Sequence, residues 1–423
     1  MTLLAPRAPD ADGSRAFPAR WLPKTPWVPA AAVTGWLLWA YLHLRPAAFI
    51  PLAPHPGAVY APWSYRHVAY SDIISLYYRF NLGNHALPYV HTPVEYPVLT
   101  GMFMWLAAWA PGVQGYFLVS SLGLVASALG TVYFLHRINW RLAWSFALCP
   151  LLLVYGLLNW DLLAIFFMVA GWAQFRSRRY AWASILLSLG VWAKFFPIIV
   201  LFYCVIWLLR DSRDRVHARQ MVLWSAAVAL VVNVPFALAN LRNWGHFFAF
   251  NARRGGHGGI LYELRLASTL PIPVVDLLSG ALVVLAVALL VPRVLRGGSP
   301  IAAAAITFAV LLLVNKVNSP QYMLWLFVLG VIAEWPLWSL VLLSISGLVN
   351  YADAMMTLYL SRTHSPAFAW FFQTLYPWNR ALKNVAVAVS LVQALARGQR
   401  SAPISDAEQG PSGLLPPHEI VAP

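Results

Sequence analysis

Long apolar stretches recur along almost the whole chain, and the short segments between them hold most of its charge. Of the 423 residues, 60% are hydrophobic and only 10% are charged. An ordinary soluble domain has roughly a quarter charged residues, so this chain has too few charges to cover a soluble globule of its size. It is also far too apolar to be a disordered protein. The pattern predicts an all-α polytopic membrane protein rather than two or three soluble domains.

The net charge of +15 is distributed as in a membrane protein. The 29 lysines and arginines form short clusters between apolar stretches, which is typical of cytoplasmic loops. The 21 tryptophans and 18 tyrosines suit a protein with two membrane interfaces. We therefore expect the basic clusters to contact membrane lipids and not nucleic acid.

The hydropathy pattern predicts about twelve transmembrane helices with both termini in the cytoplasm. A single transmembrane domain, residues 27–396, would follow a cytoplasmic tail at 1–26 and precede a disordered cytoplasmic tail at 397–423. The candidate spans cover residues 29–46, 116–136, 142–157, 161–175, 180–195, 197–209, 221–239, 275–292, 300–314, 320–334, 336–352 and 378–396.

Charge asymmetry decides two ambiguous segments. If the apolar segment 97–110 crossed the membrane, every later basic cluster would lie outside, against the positive-inside rule. We therefore interpret 97–110 as a re-entrant or interfacial helix. By the same rule, 180–209 must be two short spans around Lys194. Two long outer segments result, at 47–115 and 240–274, with shorter ones that include 353–377, and the first of these loops carries interfacial helices.

Acidic residues are rare enough that each can be placed, and three on the outer face are candidates for chemistry. Asp72 follows the first span, Glu95 lies between two prolines, and Asp161 opens a later span. Ionisable groups at membrane depth are costly and usually functional. Asp72 and Asp161 could equally cap their helices, and Glu95 could simply favour the positive end of a helix dipole.

Four cations on the predicted outer face lie in polar or glycine-containing breaks: Lys194, Arg253, Arg254 and Lys316. Lys194 could extend to the interface or face an anionic group in a cavity. The basic, glycine-rich loop 251–259 could be a flexible surface loop or an anion-binding nest.

Sequence motifs for several common chemistries are missing. The chain has no catalytic-serine elbow, Walker A or HExxH motif, and its 11 histidines show no metal-ligand spacing. Its two cysteines, Cys149 and Cys204, cannot form a zinc site by themselves. We expect no metal and no other cofactor.

A set of motifs in fixed order resembles the GT-C glycosyltransferases, and among them most of all glycosyltransferase family 87. The outer-loop Asp72 comes first, and the resemblance covers roughly residues 30–395. The further motifs, in chain order, are Tyr77-Tyr78, Pro88-Tyr89, Glu95-Tyr96-Pro97, Asn159-Trp160-Asp161-Leu162-Leu163, Gly190-Val191-Trp192-Ala193-Lys194-Phe195-Phe196-Pro197 and Ser319-Pro320-Gln321-Tyr322.

The resemblance implies a GT-C fold in the cytoplasmic membrane, with catalysis at the outer face. Such enzymes transfer a sugar, with inversion, from a polyprenyl phosphate to a lipid-linked or envelope glycan acceptor. Asp72 would be the general base, with Glu95 and Asp161 as secondary acidic candidates. Mannose is the expected sugar and arabinofuranose the alternative. Some mannosyl-transferring relatives carry a histidine in the late outer loop, where this chain has Asn318 and Gln321.

The same resemblance assigns expected roles to other side chains. Tyr77, Tyr96, Asn318 and Gln321 are candidates for the acceptor and sugar pocket. The leaving phosphate gains negative charge, so fixed cations should assist it. We expect Arg253 or Arg254 to contact that phosphate, with Lys194 and Lys316 as further candidates and lipid headgroups as the alternative partner of the arginines.

Two other functions remain compatible with the sequence. A transporter or lipid flippase would account for the number of spans but not for the ordered outer-loop acids. A nonenzymatic assembly factor with an inactive GT-C-like scaffold would not need the intact Asp72.

The predicted topology can be tested by labelling single cysteines with an impermeant thiol reagent, in a background without Cys149 and Cys204. We expect Asn251→Cys to react in intact cells and Asp214→Cys to react only after permeabilisation, because the positive-inside rule places the 210–219 cluster in the cytoplasm. Labelling of position 214 from outside would overturn the whole assignment.

Overall fold

The computed structural model describes residues 22–50, 59–255, 258–266, 268 and 270–397. Over these ranges the chain is helical, and its only β feature is an isolated bridge between Pro88 and Thr92. The predicted tails fall almost entirely on residues 1–21 and 398–423, which lie outside the described residues.

The described helices follow one another with short connections, and two 3₁₀ turns lie at Arg45–Phe49 and Leu82–Asn84. The α-helices are α1 (Trp27–Leu44), α2 (Tyr60–Arg66), α3 (Asp72–Arg79), α4 (Val98–Ala107), α5 (Gly112–Ile138), α6 (Trp140–Ala147), α7 (Leu151–Tyr155), α8 (Asp161–Arg176), α9 (Tyr180–Ala193), α10 (Pro197–Leu209), α11 (Arg215–Ala239), α12 (Leu241–Arg253), α13 (Ile260–Leu266), α14 (Ile272–Leu295), α15 (Pro300–Val314), α16 (Tyr322–Ile332), α17 (Leu337–Arg362), α18 (Ala367–Thr374) and α19 (Tyr376–Ala396).

Four of these helices, α5, α11, α14 and α17, are long and apolar enough to cross a membrane. Helices α4, α9, α10, α15 and α16 are apolar but shorter. In α11 and α14 most apolar side chains do not pack against the rest of the protein, as expected for helices that face lipid. The described residues therefore form an all-α membrane protein, while the number of about twelve spans stays a prediction.

Two expected segments differ from the structure. Residues 142–157 do not form one span, because α6 ends at Ala147 and α7 begins at Leu151. Pro150 lies between them, and a proline disfavours helical backbone at the residue before it. The segment 353–377, predicted to lie outside, is mostly helical, since α17 continues to Arg362 and α18 follows. No glycine or proline interrupts the chain between Gly347 and Pro366, so nothing in the sequence ends α17 earlier.

One prediction about a helix break is confirmed. The 180–209 segment forms two helices, and Lys194 caps the end of α9 in an extended conformation before Pro197 opens α10. Helix α4 has 10 residues and is about 15 Å long, half of the ~30 Å hydrocarbon core of a bilayer. The interpretation of 97–110 as a re-entrant or interfacial helix is compatible with this length and stays a prediction.

Helices α8 and α9 form the tightest helix pair, and their packing positions the site. They run antiparallel on either side of a short connection at 177–179. The absence of a side chain at Gly171 allows this approach, since a Cβ there would lie 2.7 Å from Leu187 Cγ. Because the pair is antiparallel, the first residue of α8, Asp161, lies beside the end of α9, where Lys194 follows.

Candidate functional site

Hydrogen bonds attach the predicted first outer loop to the chain just before α8. The Asp72 N–H donates a hydrogen bond to the Leu158 carbonyl at 2.8 Å, and Ser71 Oγ donates one to the Leu157 carbonyl at 2.7 Å. The Tyr60 hydroxyl donates to the Ser71 carbonyl at 2.9 Å. These bonds fix the start of α3, and therefore Asp72, against the beginning of α8.

Two tyrosine hydroxyls hold the Asp72 carboxylate. Tyr70 donates a hydrogen bond to Oδ1 at 2.9 Å, and Tyr96 donates one to Oδ2 at 3.2 Å. The Tyr96 ring packs edge-on against Trp160, with ring centroids 5.2 Å apart. Asp72 itself is only partly buried. The carboxylate is thus oriented by two fixed donors.

A second carboxylate and a lysine lie behind Tyr96. Lys194 Nζ is 2.8 Å from Asp161 Oδ1, and Asp161 is fully buried while Lys194 is 9% exposed. The ammonium also lies 4.6 Å from the centroid of the Tyr96 ring and 5.5 Å from that of Trp325. Cation–π contacts of this kind attract a lysine ammonium to the faces of both rings.

Tyr70, Asp72, Tyr96, Asp161 and Lys194 are called the Asp72 cluster below. Burial raises the pKa of the Asp72 carboxyl, and the charge of Asp161 adds to this rise. The hydrogen bond from Tyr70, the charge of Lys194 and the hydrogen bond from Tyr96 lower the pKa. A carboxylate with a raised pKa is a stronger base than a free aspartate, so Asp72 is suited to accept a proton.

Glu95 lies at the edge of the Asp72 cluster. Its carboxylate forms an ion pair with Arg79 at 3.0 Å and is largely shielded from solvent. Burial raises the pKa of Glu95, and the charge of Arg79 is the strongest influence that lowers it. The charge of Asp72 also raises the pKa of Glu95, so the two acids lie near each other, but the direct partner of Glu95 is a surface arginine on α3 rather than Lys194.

The four candidate cations are in different surroundings. Lys194 belongs to the Asp72 cluster, and Lys316 pairs with Asp276 at 2.9 Å. Arg253, the last residue of α12, is exposed. Arg254 is partly buried, and its Nη2 lies 3.5 Å from Ser319 Oγ. Arg254 therefore faces the polar segment before α16, whereas its neighbour Arg253 lies at the surface.

The proposed sugar-pocket residues are not all together. Tyr96 lies in the Asp72 cluster, whereas Tyr77 packs against Tyr116 with ring centroids 5.0 Å apart. Asn318 is fully buried, and its Nδ2 donates a hydrogen bond to the Leu312 carbonyl at 2.8 Å. Gln321 immediately precedes α16 and is partly buried.

Several residues of the site escaped the sequence analysis. Tyr70 precedes Asp72 by two positions, and in the extended backbone before α3 the two side chains can face the same side. This two-residue spacing could have indicated Tyr70 as a partner of Asp72. Arg380 and Lys383 lie three positions apart near the start of α19 and are both buried. Ionisable residues in such a helix are a signal for a site. Nothing local indicated that Trp325 would face Lys194.

In the part of the chain that the structure describes, no group of three or more histidine, cysteine, aspartate or glutamate side chains could hold a metal ion. The Asp72 cluster contains two carboxylates, but a lysine and two tyrosines fill the space around them.

Comparisons with protein-family models and with curated proteins find no match to this chain.

The Asp161–Lys194 ion pair predicts a specific pattern of stability. We expect Asp161→Asn and Lys194→Met each to destabilise the protein by ~3–5 kcal/mol, because each leaves one buried charge unpaired. The double variant, which removes both charges, should recover most of this loss. Thermal unfolding of the purified protein in detergent measures all three variants against the wild type.

Asp276→Asn is the matched control. It breaks the ion pair with Lys316, whose acid is more exposed than Asp161, and exposed ion pairs contribute only ~0–1 kcal/mol to stability. Single variants as stable as this control would contradict a structural role for the buried pair. A double variant no better than the single ones would do the same.

Proposed function

We propose that the protein is an integral membrane glycosyltransferase of the GT-C type. It would transfer a hexose, mannose in the first place, from a polyprenyl phosphate to a lipid-linked or envelope glycan at the outer face of the cytoplasmic membrane. The observation that carries the proposal is the Asp72 carboxylate, which is partly buried, held by Tyr70 and Tyr96, and close to the charge of Lys194.

The proposed reaction uses Asp72 as the general base. The carboxylate takes the proton from an acceptor hydroxyl as the hydroxyl oxygen forms a bond to the anomeric carbon of the donor sugar. The bond between that carbon and the phosphate oxygen breaks, and the phosphate leaves with the electron pair. Attack from the side opposite the phosphate inverts the anomeric centre. A positioned base typically contributes ~10²–10⁴-fold to such a step.

The neighbours of Asp72 have separate roles in this proposal. Tyr70 and Tyr96 orient the carboxylate and leave further lone pairs of its oxygens for the acceptor hydroxyl. Lys194 supplies a fixed positive charge near the developing negative charge, and Asp161 keeps that lysine in place. Arg254 remains the better of the two candidate arginines for the donor phosphate, because it is partly buried and faces Ser319.

A transporter or flippase is the second candidate function. The buried Asp161–Lys194 pair favours it, since paired charges within the membrane also occur along transport pathways. A donor-dependent transfer assay in membranes separates the two functions: transfer of labelled sugar supports the enzyme, whereas movement of intact lipid without transfer supports the flippase. An arabinofuranosyl donor in the same assay tests the alternative sugar.

The substitution Asp72→Asn tests the proposed base. Asparagine keeps the size of the side chain but loses its basicity, so we expect turnover to fall by ~10²–10⁴-fold while the protein folds and inserts normally. The control is Asp211→Asn, the same chemical change at an exposed position of the predicted cytoplasmic side, which should leave turnover unchanged. Near wild-type turnover in Asp72→Asn would make Asp72 a helix cap and Glu95 or Asp161 the better candidate.

The pH profile should report the raised pKa of Asp72. A base works in its deprotonated form, so kcat/KM should fall as the pH drops through that pKa, at a higher pH than an exposed aspartate would give. The Tyr96 hydrogen bond favours the carboxylate, and Tyr96→Phe should therefore move the acidic limb to still higher pH.

Tyr203→Phe is the matched control. It removes a buried hydroxyl that is hydrogen-bonded to Thr307 and should leave the acidic limb of the pH profile unchanged. An acidic limb that does not move in Tyr96→Phe would show that Asp72 does not control the rate.

A further inference from the structure

The reaction proposed for Asp72 leaves a proton on its carboxyl group, and this proton must leave before the next turnover. The departing phosphate does not take it directly, because attack with inversion places the base and the leaving group on opposite faces of the sugar. Two hydroxyl groups are already hydrogen-bonded to the carboxylate, those of Tyr70 and Tyr96. The surroundings of these two tyrosines therefore decide which way the proton can go.

The path through Tyr96 leads into the protein. Tyr96 is only 8% exposed, and its ring packs against Trp160, which is fully buried. Behind the ring lies the Lys194 ammonium, itself paired with the buried Asp161. A proton passed to Tyr96 would move towards these interior charges rather than towards water.

The path through Tyr70 leads to a second hydroxyl group. The Tyr70 hydroxyl donates to Asp72 Oδ1 at 2.9 Å. Burial raises the pKa of Tyr70, and a hydrogen bond from the Ser75 side chain lowers it, so Ser75 reaches the same tyrosine oxygen. A phenol hydroxyl can donate one hydrogen bond and accept another, and it therefore can form the middle of a chain.

The geometry of α3 brings Ser75 to this position. Ser75 follows Asp72 by three residues, and side chains at this spacing lie on one face of a helix. The Ser75 N–H donates to the Ser71 carbonyl at 3.0 Å, so the first turn of α3 is formed. Ser75 and Tyr70 are both partly exposed, in contrast to the buried Tyr96. This chain of hydroxyl groups thus runs from the carboxylate towards solvent.

Neighbouring tyrosines fix the ring of Tyr70. Its centroid lies 6.0 Å from that of Tyr60 and 5.1 Å from that of Tyr65. Tyr60 is in turn held by the hydrogen bond from its hydroxyl to the Ser71 carbonyl. A ring packed in this way keeps its hydroxyl between Asp72 and Ser75 without a search over rotamers.

We infer that Tyr70 and Ser75 form a proton relay from Asp72 to water, an inference that rests on the proposed role of Asp72 as the base. The carboxyl proton passes from Oδ1 to the Tyr70 oxygen while the Tyr70 proton passes to Ser75 Oγ. The Ser75 proton passes to a water molecule. Each hydroxyl loses one proton and gains one, so the net change is a single proton moved from the carboxyl group to water.

The relay gives the two tyrosines of the carboxylate different roles. Both orient the Asp72 carboxylate through a hydrogen bond. Only Tyr70 continues to a further hydroxyl on the same helix, and only its removal should slow the release of the proton. The two positions therefore provide a matched comparison at one carboxylate.

Steady-state transfer of labelled mannose from undecaprenyl phosphate mannose, in membranes from the source organism, tests the relay at fixed pH. We expect Tyr70→Phe to lower turnover by about tenfold or more, because general acid–base steps typically contribute ~10²–10⁴-fold. Added imidazole, a diffusible base, should restore part of this loss. Tyr96→Phe removes the other hydroxyl on the carboxylate, and imidazole should not restore its turnover.

Variants of Ser75 keep the test valid if Tyr70→Phe fails to fold. Ser75→Ala leaves the hydrogen bond between Tyr70 and Asp72 in place but interrupts the relay, so its turnover should fall and respond to imidazole. Ser75→Thr keeps a hydroxyl group and should restore turnover. Ser145→Ala, at a partly exposed serine of α6, is the matched control and should behave as the wild type does.

The outcomes separate the relay from the proposed function. An equal response of Tyr70→Phe and Tyr96→Phe to imidazole, or wild-type turnover in Ser75→Ala, would overturn the relay. If Asp72→Asn still loses turnover in that case, the role of Asp72 as the base stands. Full turnover in Asp72→Asn would instead overturn the base, and the relay with it.

Discussion

The ion pair between Asp161 and Lys194 is the interaction on which the arrangement of the site depends. It joins the start of α8 to the end of α9, and both partners are almost completely removed from solvent. Two such charges are stable in the interior only as a pair. Tyr96 packs over the lysine and donates to Asp72, so the position of the outer-loop carboxylate follows from the helix pair beneath it.

The chemistry of Asp72 results from two opposing effects of the same loop. By covering the carboxylate, the loop raises its pKa and makes it a better base, and by donating from Tyr70 and Tyr96 it keeps the charged form accessible. A fully exposed aspartate would be a weak base, and a buried one without donors would stay protonated. The partly buried position with two donors lies between these limits.

The polar segment before α16 contacts basic side chains from two other parts of the chain. Its residue Asn318 faces Lys383, and Ser319 faces Arg254. The charges of Arg254 and Lys194 both act on Glu95, which lies beside the Asp72 cluster. In the proposed function, Arg254 and Lys194 would therefore hold positive charge on the side of the cluster where the donor phosphate leaves.

The sequence by itself determined the membrane class, the helical fold and the break at Lys194, and it singled out Asp72 and Asp161 as candidates. These features follow from hydrophobic stretches, prolines and rare charges, which act locally or through burial in lipid. It did not predict the division of the 142–157 segment, the full length of α17 or the burial of Arg380 and Lys383. Only the tertiary structure decided that Lys194 pairs with Asp161 while Lys316 pairs with Asp276, because such pairings depend on which helix ends packing brings together.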